Sequence, residues 1–238
     1  MHPTDKAARV AGAWYLSLIL TAPFSLVYVP RTLIVRGDAT ATANNILTHE
    51  MMFRLSIVAD LFTSVIFLFL ALALYRLLSP VNAGRAAQMA ALALVSVGVG
   101  FLNVLNNIAA LILFRGDDFL NVFAKPQLEA LGMLFIRLHG QGIVINEIFW
   151  GLWLLPFGLL VMQSGFLPRI LGALLIVNCF AYVAVSLTSL LLPDYAGVVN
   201  RYALIAETGE LWIMLWLLIK GAKVKPDIAA PGDRLVVA

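Results

Sequence analysis

Long apolar runs, separated by short polar or proline-containing segments, dominate this chain. A helix needs roughly 20 mainly apolar residues to cross the hydrocarbon layer of a membrane. Six stretches meet this requirement, and they run over about 10–29, 53–78, 86–114, 127–162, 168–193 and 202–219. The pattern predicts an all-α fold: a polytopic transmembrane helix bundle with about six transmembrane helices.

Two of these boundaries carry extra information. The first segment ends at Pro30, and the fourth is longer than one crossing needs, so we expect it to tilt, project or kink at Pro156. Between the first two segments, Asp38, Thr40 and Thr42 are candidate helix caps before a weakly amphipathic run. These residues predict a short interfacial helix there.

The chain shows no internal repeat and no second domain. We therefore expect one transmembrane domain over 1–222 and a flexible tail over 223–238, which has two prolines and mixed charges. Lys6 and Arg9 precede the first apolar segment, as in a signal peptide. That segment is too long for a signal and lacks a small-residue cleavage site, so we expect it to be retained as a helix.

Composition agrees with a lipid environment. Of 238 residues, 62% are hydrophobic and 12% charged, whereas soluble domains are roughly half apolar and about a quarter charged. The net charge of +3 is not gathered into a basic cluster with aromatic residues, so we expect no nucleic-acid partner. The lipid bilayer itself is the expected partner. Cys179 lies in an apolar run and is interpreted as a small hydrophobic side chain.

Positive charges near the segment ends predict the orientation, because cytoplasmic loops carry more Lys and Arg. Eight such residues lie on the side of the N-terminus and six on the other side. The first group is Lys6, Arg9, Arg76, Arg85, Arg169, Lys220, Lys223 and Lys225; the second is Arg31, Arg36, Arg54, Arg115, Lys125 and Arg201. We expect both termini in the cytoplasm, in a bacterial plasma (inner) membrane.

Polar side chains at membrane depth are costly and usually face a bundle interior or a water-filled cavity. In the second segment, Asp60 shares a helical face with three hydroxyl residues, and the third segment carries a stripe of asparagines. In the fourth, the polar residues point in several directions, which predicts a helix enclosed by others. The hydroxyl residues are Ser56, Thr63 and Ser64; the stripe is Asn103, Asn106 and Asn107; the fourth segment has Arg137, His139, Gln141, Asn146 and Glu147.

With Glu207 and Glu210 of the sixth segment, most of these residues fall in the outer half of the predicted bundle or near its midplane. We therefore predict an outward-facing polar cavity that binds a small molecule or lipid, as in a sensor or transporter. Its candidate ligand-binding residues are Asp60, Asn103, Asn107, Arg137, His139, Gln141, Glu147 and Glu210.

Two other hypotheses stay open. One is an intramembrane enzyme, with or without a metal ion, that uses His139 and carboxylates. The other is a membrane assembly partner in which the polar residues only hold helices together. No HExxH, G-x-S-x-G or S-x-x-K motif stands in a convincing context. We therefore assign no catalytic residue, no metal ligand and no cofactor. A homo-oligomer is a further candidate partner.

Several short stretches carry a family resemblance: ARVAG (8–12), FRL (53–55) with Asp60, LHG (138–140), FWGL (149–152), SGFLPRILG (164–172), GELW (209–212) and WLLIKG (216–221). In these the chain resembles the mainly bacterial family of membrane proteins called domain of unknown function 4386. The resemblance runs from about 8 to 221, and SGFLPRILG and GELW are its most specific parts. It implies a multi-helix membrane protein and no particular activity, and Asp60, His139 and Glu210 match its pattern.

Overall fold

A computed structural model describes residues 3–222, and within them the chain is a bundle of α-helices without strands. The predicted tail over 223–238, with Lys223 and Lys225, lies outside the described residues. The helices are α1 Pro3–Pro23, α2 Val29–Leu33, α3 Ala39–Thr48, α4 Glu50–Leu78, α5 Ala83–Arg115, α6 Lys125–Leu152, α7 Leu154–Gln163, α8 Arg169–Leu191, α9 Pro193–Glu207 and α10 Gly209–Leu215.

Six continuous or nearly continuous helical spans are long and apolar enough to cross a membrane, among the described residues. They are Pro3–Leu33, Glu50–Leu78, Ala83–Arg115, Lys125–Gln163, Arg169–Leu191 and Pro193–Lys220. Each overlaps one of the six predicted segments, so the predicted six-helix bundle is confirmed. Because the number of spans is even, the first span begins and the last span ends at the same end of the bundle. We call that end the terminal end and the opposite end the distal end.

The first span continues past Pro30, so the prediction that it ends there is wrong. A single wide turn of π-helix, Phe24–Tyr28, joins α1 to α2, and the Val29 amide donates to the Phe24 carbonyl. Proline has no N–H, and its ring collides with the carbonyl four residues earlier in a regular α-helix. The π turn relieves this clash, and Pro30 then lies in the first turn of α2, where its missing N–H costs little.

The fourth span breaks where the sequence predicts it. The break falls at Trp153, between α6 and α7, because Pro156 cannot donate to the carbonyl four residues earlier. The sixth span differs from the prediction in two ways. It begins at Pro193, in the first turn of α9, and it is interrupted at Thr208 between α9 and α10.

The connections follow their capping residues. The short helix predicted between the first two spans is α3, and Asp38 caps it, since its Oδ1 accepts from the Ala41 amide at 2.8 Å. The helix is fixed to α6 by Thr40, whose hydroxyl donates to Glu129 Oε2 at 2.5 Å. Two residues shape the turn before α8: Gly165 has a φ of 70°, which favours glycine, and Pro168 precedes the helix.

The spans form a ring. In order around it, α1 packs on α4, α4 on α5, α5 on α6, and α6 on α8. Helix α8 packs on α9 and α10, and α10 with the following turn Trp216–Lys220 returns to α1. Helix α7 packs between α8 and α5.

Two apolar clusters fill the ring at different heights. The terminal core joins α1, the C-terminal half of α4, the N-terminal half of α5, α7, α8 and α10, with Leu74, Phe157 and Leu175 fully buried. The distal core joins α2, α3, α4, α5 and α6 around Leu33 and Ile46. The layer between the two cores contains the polar residues of the middle of α4, α5 and α6.

The ring closes between α1 and the last span at Gly12. A Cβ at this position would lie 2.6 Å from the backbone nitrogen of Leu218, and backbone cannot move aside as a flexible side chain can. The guanidinium of Arg9 donates to the Leu218 carbonyl at 3.2 Å in the same contact.

We expect Gly12→Ala to lower the melting temperature of the purified protein, because overpacking of this kind typically costs about 1–3 kcal/mol. Gly98→Ala is the matched control, since nothing lies within 4 Å of a Cβ there. Alanine is the better helix former by roughly 0.5–1 kcal/mol, so the control should melt at the same or a higher temperature. Equal melting of the two variants would contradict the close approach of α1 and the last span.

Candidate functional site

A cavity of about 390 Å³ occupies the layer between the two cores. Its lining comes from α1, α4, α5, α6, α8, α9 and α10, so every one of the six spans contributes. The volume falls within the range of about 300–1,000 Å³ typical of small-molecule pockets. The ring of helices therefore encloses a space large enough for a ligand.

The first polar group of the lining joins α4, α5 and α6. Nε2 of His139 lies 3.5 Å from Oδ2 of Asp60, which makes an ion pair when the imidazole carries a proton. Both side chains are mostly buried, with 12% and 13% of their surface exposed. Asn103 donates to the backbone carbonyl of His139 at 2.9 Å and in turn accepts from Asn106 at 3.0 Å. This group is therefore held by a chain of hydrogen bonds between α5 and α6.

Close packing of α5 against α6 fixes the position of this group along the two helices. At Gly142, one turn after His139, an added Cβ would overlap the side chain of Asn103. Only glycine leaves room for the amide of Asn103 to reach the carbonyl of His139.

The second polar group surrounds Glu210 of α10. The Tyr15 hydroxyl of α1 donates to Glu210 Oε2 in a short hydrogen bond. The Asn178 amide of α8 donates to Glu210 Oε1 at 3.2 Å and to the Glu207 carbonyl at 3.4 Å. One carboxylate thus connects three helices, and the donation to the Glu207 carbonyl fastens the chain at the break between α9 and α10.

Some buried polar atoms of this layer have no hydrogen-bond partner within the described part of the chain. Ser96 Oγ and Asn146 Oδ1 are two of them, and both residues line the cavity with only 1% and 6% of their surface exposed. Glu147 Oε2 is a third, although Glu147 is not part of the lining. A buried polar atom without a partner is costly, so a ligand or water that bonds to these atoms would stabilise the protein.

The rest of the lining is apolar and aromatic. Trp150 and Trp153 lie at the α6–α7 break, where Trp153 packs edge-on to Phe67 with ring centroids 5.0 Å apart. Trp150 packs edge-on to Tyr182 at 6.2 Å. The aliphatic part of the lining is Leu18, Ile19, Ala22, Leu26, Val97, Val104, Ile143, Leu204 and Leu211.

The cavity is poorly covered between α1 and α9. Helix α9 packs on α8, and no substantial packing joins it to α1 in the described residues. Leu204, Thr208 and Leu211 line the cavity and are nevertheless exposed, whereas the α1 side of the gap carries half-buried Leu18 and Ala22. The terminal end of this seam is closed at Gly12, so the gap lies in its distal part, on the lateral surface of the bundle.

Of the eight residues predicted for the site, Asp60, Asn103, His139 and Glu210 line the cavity. Two others lie inside the bundle but outside the lining: Asn107 is buried and Glu147 is half-buried. Arg137 and Gln141 are exposed on the outer side of α6.

The prediction that helix four is enclosed is therefore wrong for α6. Leu134, Leu138 and Ile145 are exposed on the same outward face as Arg137 and Gln141, so one side of the helix borders the surroundings of the chain. Polar residues on several faces of a helix do not by themselves show that other helices surround it, because some of these residues can lie on the outward face, as Arg137 and Gln141 do.

Sequence reasoning missed much of the second polar group. Asn178 is a lone amide within an apolar helix, and the cost of polar groups at membrane depth is a signal that would have identified it. Tyr15 gave a weaker signal, because a tyrosine in a transmembrane segment is ordinarily interpreted as an interfacial anchor. Trp150 and Trp153 also line the cavity, which their sequence positions do not indicate, because tryptophans in transmembrane segments commonly serve as interface anchors.

In the described residues, the histidine and carboxylate of the first polar group are not part of a larger metal-binding cluster. Within residues 3–222, no group of three or more His, Cys, Asp or Glu side chains could hold a metal ion. The hypothesis of a metal-assisted enzyme thus depends on the pair of Asp60 and His139.

The six spans define a class: a multi-pass helical membrane protein, whose bundle contains a cavity lined by both polar and apolar side chains. The model of one family, described as Domain of unknown function (DUF4386), matches residues 10–221. The chain belongs to this family, which confirms the resemblance seen in its sequence.

A similar protein from Archaeoglobus fulgidus, described as an uncharacterized protein, is 33% identical over 87 residues. The matched region covers 37% of this chain and 51% of that protein, so it spans about half of the relative's length. No solved structure matches the chain.

We expect Tyr15→Phe to lower the melting temperature, because a hydrogen bond to a carboxylate contributes about 1.5–3 kcal/mol. Tyr75→Phe is the matched control, since this ring lies at the surface of α4 with 36% exposed. The measurement is thermal unfolding of both variants in the same detergent. Unchanged melting of Tyr15→Phe would show that the contact with Glu210 does not hold α1 to the last span.

Proposed function

We propose that the protein binds a small amphipathic molecule in the cavity between its two cores, and that the molecule enters from the lipid through the gap between α1 and α9. The observation that carries this proposal is the lining itself. One part is polar and buried, and the other is aliphatic and aromatic and continues to the exposed Leu204 and Leu211. An amphiphile needs both surfaces, with its polar head inward and its apolar chain toward the lipid.

A purely structural role, in which the polar residues only hold helices together, explains their arrangement less well than ligand binding does. Side chains that only hold helices together are expected to bond to one another across the helix contacts. Ser96 and Asn146 instead leave atoms without partners at the cavity. These atoms support a site with an additional occupant.

We also propose that the protein lies in the bacterial plasma membrane with both termini in the cytoplasm. Within the described residues, six basic residues lie at each end of the bundle, and the excess at the terminal end comes from Lys223 and Lys225 outside them. With the termini in the cytoplasm, the gap between α1 and α9 opens to the outer leaflet. A binding or sensing protein, or one that transfers the molecule between leaflets, would each use this entrance.

The experiment is native mass spectrometry of the protein released from membranes in mild detergent. Ala22→Trp places a large ring at the gap, and Ala13→Trp places the same ring on the exposed side of α1, away from the cavity. We expect a bound molecule on the wild type and on Ala13→Trp, and its loss from Ala22→Trp. No adduct on any form, or an equal adduct on both variants, would contradict the proposal.

A further inference from the structure

We propose that the cavity selects amphiphiles with a cationic head, of the amine or quaternary ammonium class. This inference rests on the proposed function, because it names the chemistry of the molecule that the same cavity would bind. Four features of the lining lead to it: its charges, its unpaired carboxylates, its aromatic residues and its free acceptor atoms.

The charges of the lining are predominantly acidic. Asp60, Glu207 and Glu210 line the cavity, and no lysine or arginine does so in the part of the chain that the structure describes. His139 is the one lining side chain that can carry positive charge, and it faces Asp60 at 3.5 Å. The two glutamates therefore have no basic partner in the lining.

The glutamates also make no ion pair elsewhere within residues 3–222. The donors to Glu210 are uncharged, and they include the Tyr15 hydroxyl and the Asn178 amide. Neutral donors reduce the cost of a buried carboxylate but do not balance its charge. A cation in the cavity would balance it, whereas a phosphate or carboxylate head would meet like charges and no basic residue.

The aromatic residues favour the same head group. Trp150, Trp153 and Tyr182 line the cavity on the α6 and α8 side, and Phe67 and Tyr15 line it on the α4 and α1 side. A cation within about 6 Å of such a ring is attracted by the negative face, and tryptophan is the strongest of these rings. Carboxylates together with aromatic residues are the combination that binds quaternary ammonium ions.

The acceptor atoms without partners favour amines among the cationic heads. Asn146 Oδ1 is a pure acceptor without a partner, and it lies at the cavity with 94% of its residue surface buried. A primary or secondary ammonium has N–H groups to donate to it. Ser96 Oγ, also without a partner, can accept as well.

The cavity size limits what lies inside. A volume of about 390 Å³ accommodates a head group with a short apolar chain. A longer chain would extend through the gap between α1 and α9 into the lipid. The site therefore suits a single-chain amphiphile.

The test compares four probes with the same hexyl chain: hexyltrimethylammonium, hexylammonium, hexanol and hexanesulfonate. Each is titrated against the full-length protein in nanodiscs of zwitterionic lipid, and binding is followed by tryptophan fluorescence, with empty nanodiscs as the blank. We expect saturable binding of both cations with a Kd about 10-fold or more below those of hexanol and hexanesulfonate, a difference that cation–π and charge contacts readily supply.

Glu207→Gln and Glu210→Gln should each weaken binding of the cations by about 10-fold and leave binding of hexanol unchanged. Glu207→Gln is the safer variant, because the described hydrogen bond at Glu207 uses its backbone carbonyl and not its side chain. Glu50→Gln is the matched control, since it removes the same charge at the distal surface, where Glu50 pairs with Arg54 and Arg115. It should bind like the wild type.

The outcomes separate this inference from the proposed function. Preferential binding of hexanol or hexanesulfonate, lost in Ala22→Trp, would overturn the cationic head and keep the binding site. Cation binding that the glutamate variants leave unchanged would also overturn the inference. If no probe binds and no adduct is found on the purified protein, the proposed function itself is contradicted.

Discussion

The structure depends on the cost of placing a carboxylate inside a helix bundle. Glu210 meets that cost by accepting hydrogen bonds from Tyr15 of α1 and Asn178 of α8, and these bonds bring the first, fifth and sixth spans together. The same contact requires α1 and the last span to approach closely, which Gly12 permits. The ring of helices is therefore closed between α1 and the last span by the half-buried carboxylate of Glu210 and by Gly12.

The two apolar cores stand in different relations to this closure. The terminal core packs around the contact of α1 with the last span, and the distal core packs separately around α2, α3 and the distal parts of α4, α5 and α6. The layer between them contains side chains that bond to a few neighbours without filling the space. Because α9 packs on α8 and not on α1, this layer remains accessible from the side.

Much of the fold could be predicted from the sequence, because length and hydropathy suffice to identify a transmembrane helix. Proline was a less reliable signal of where a helix ends. Pro156 breaks a helix, whereas a π turn allows the first span to continue past Pro30. Half of the predicted site residues line the cavity, among them Asp60 and His139. Arg137 could not be placed, because helical periodicity gives the angle between side chains but not which face meets the other helices.

The most direct measurement is an experimental density map of the protein in lipid nanodiscs. We expect non-protein density between the Asp60–His139 pair and Glu210, continuous through the gap between α1 and α9 with the surrounding lipid. A map in which α9 packs against α1, or in which side chains fill the layer between the two cores, would contradict it.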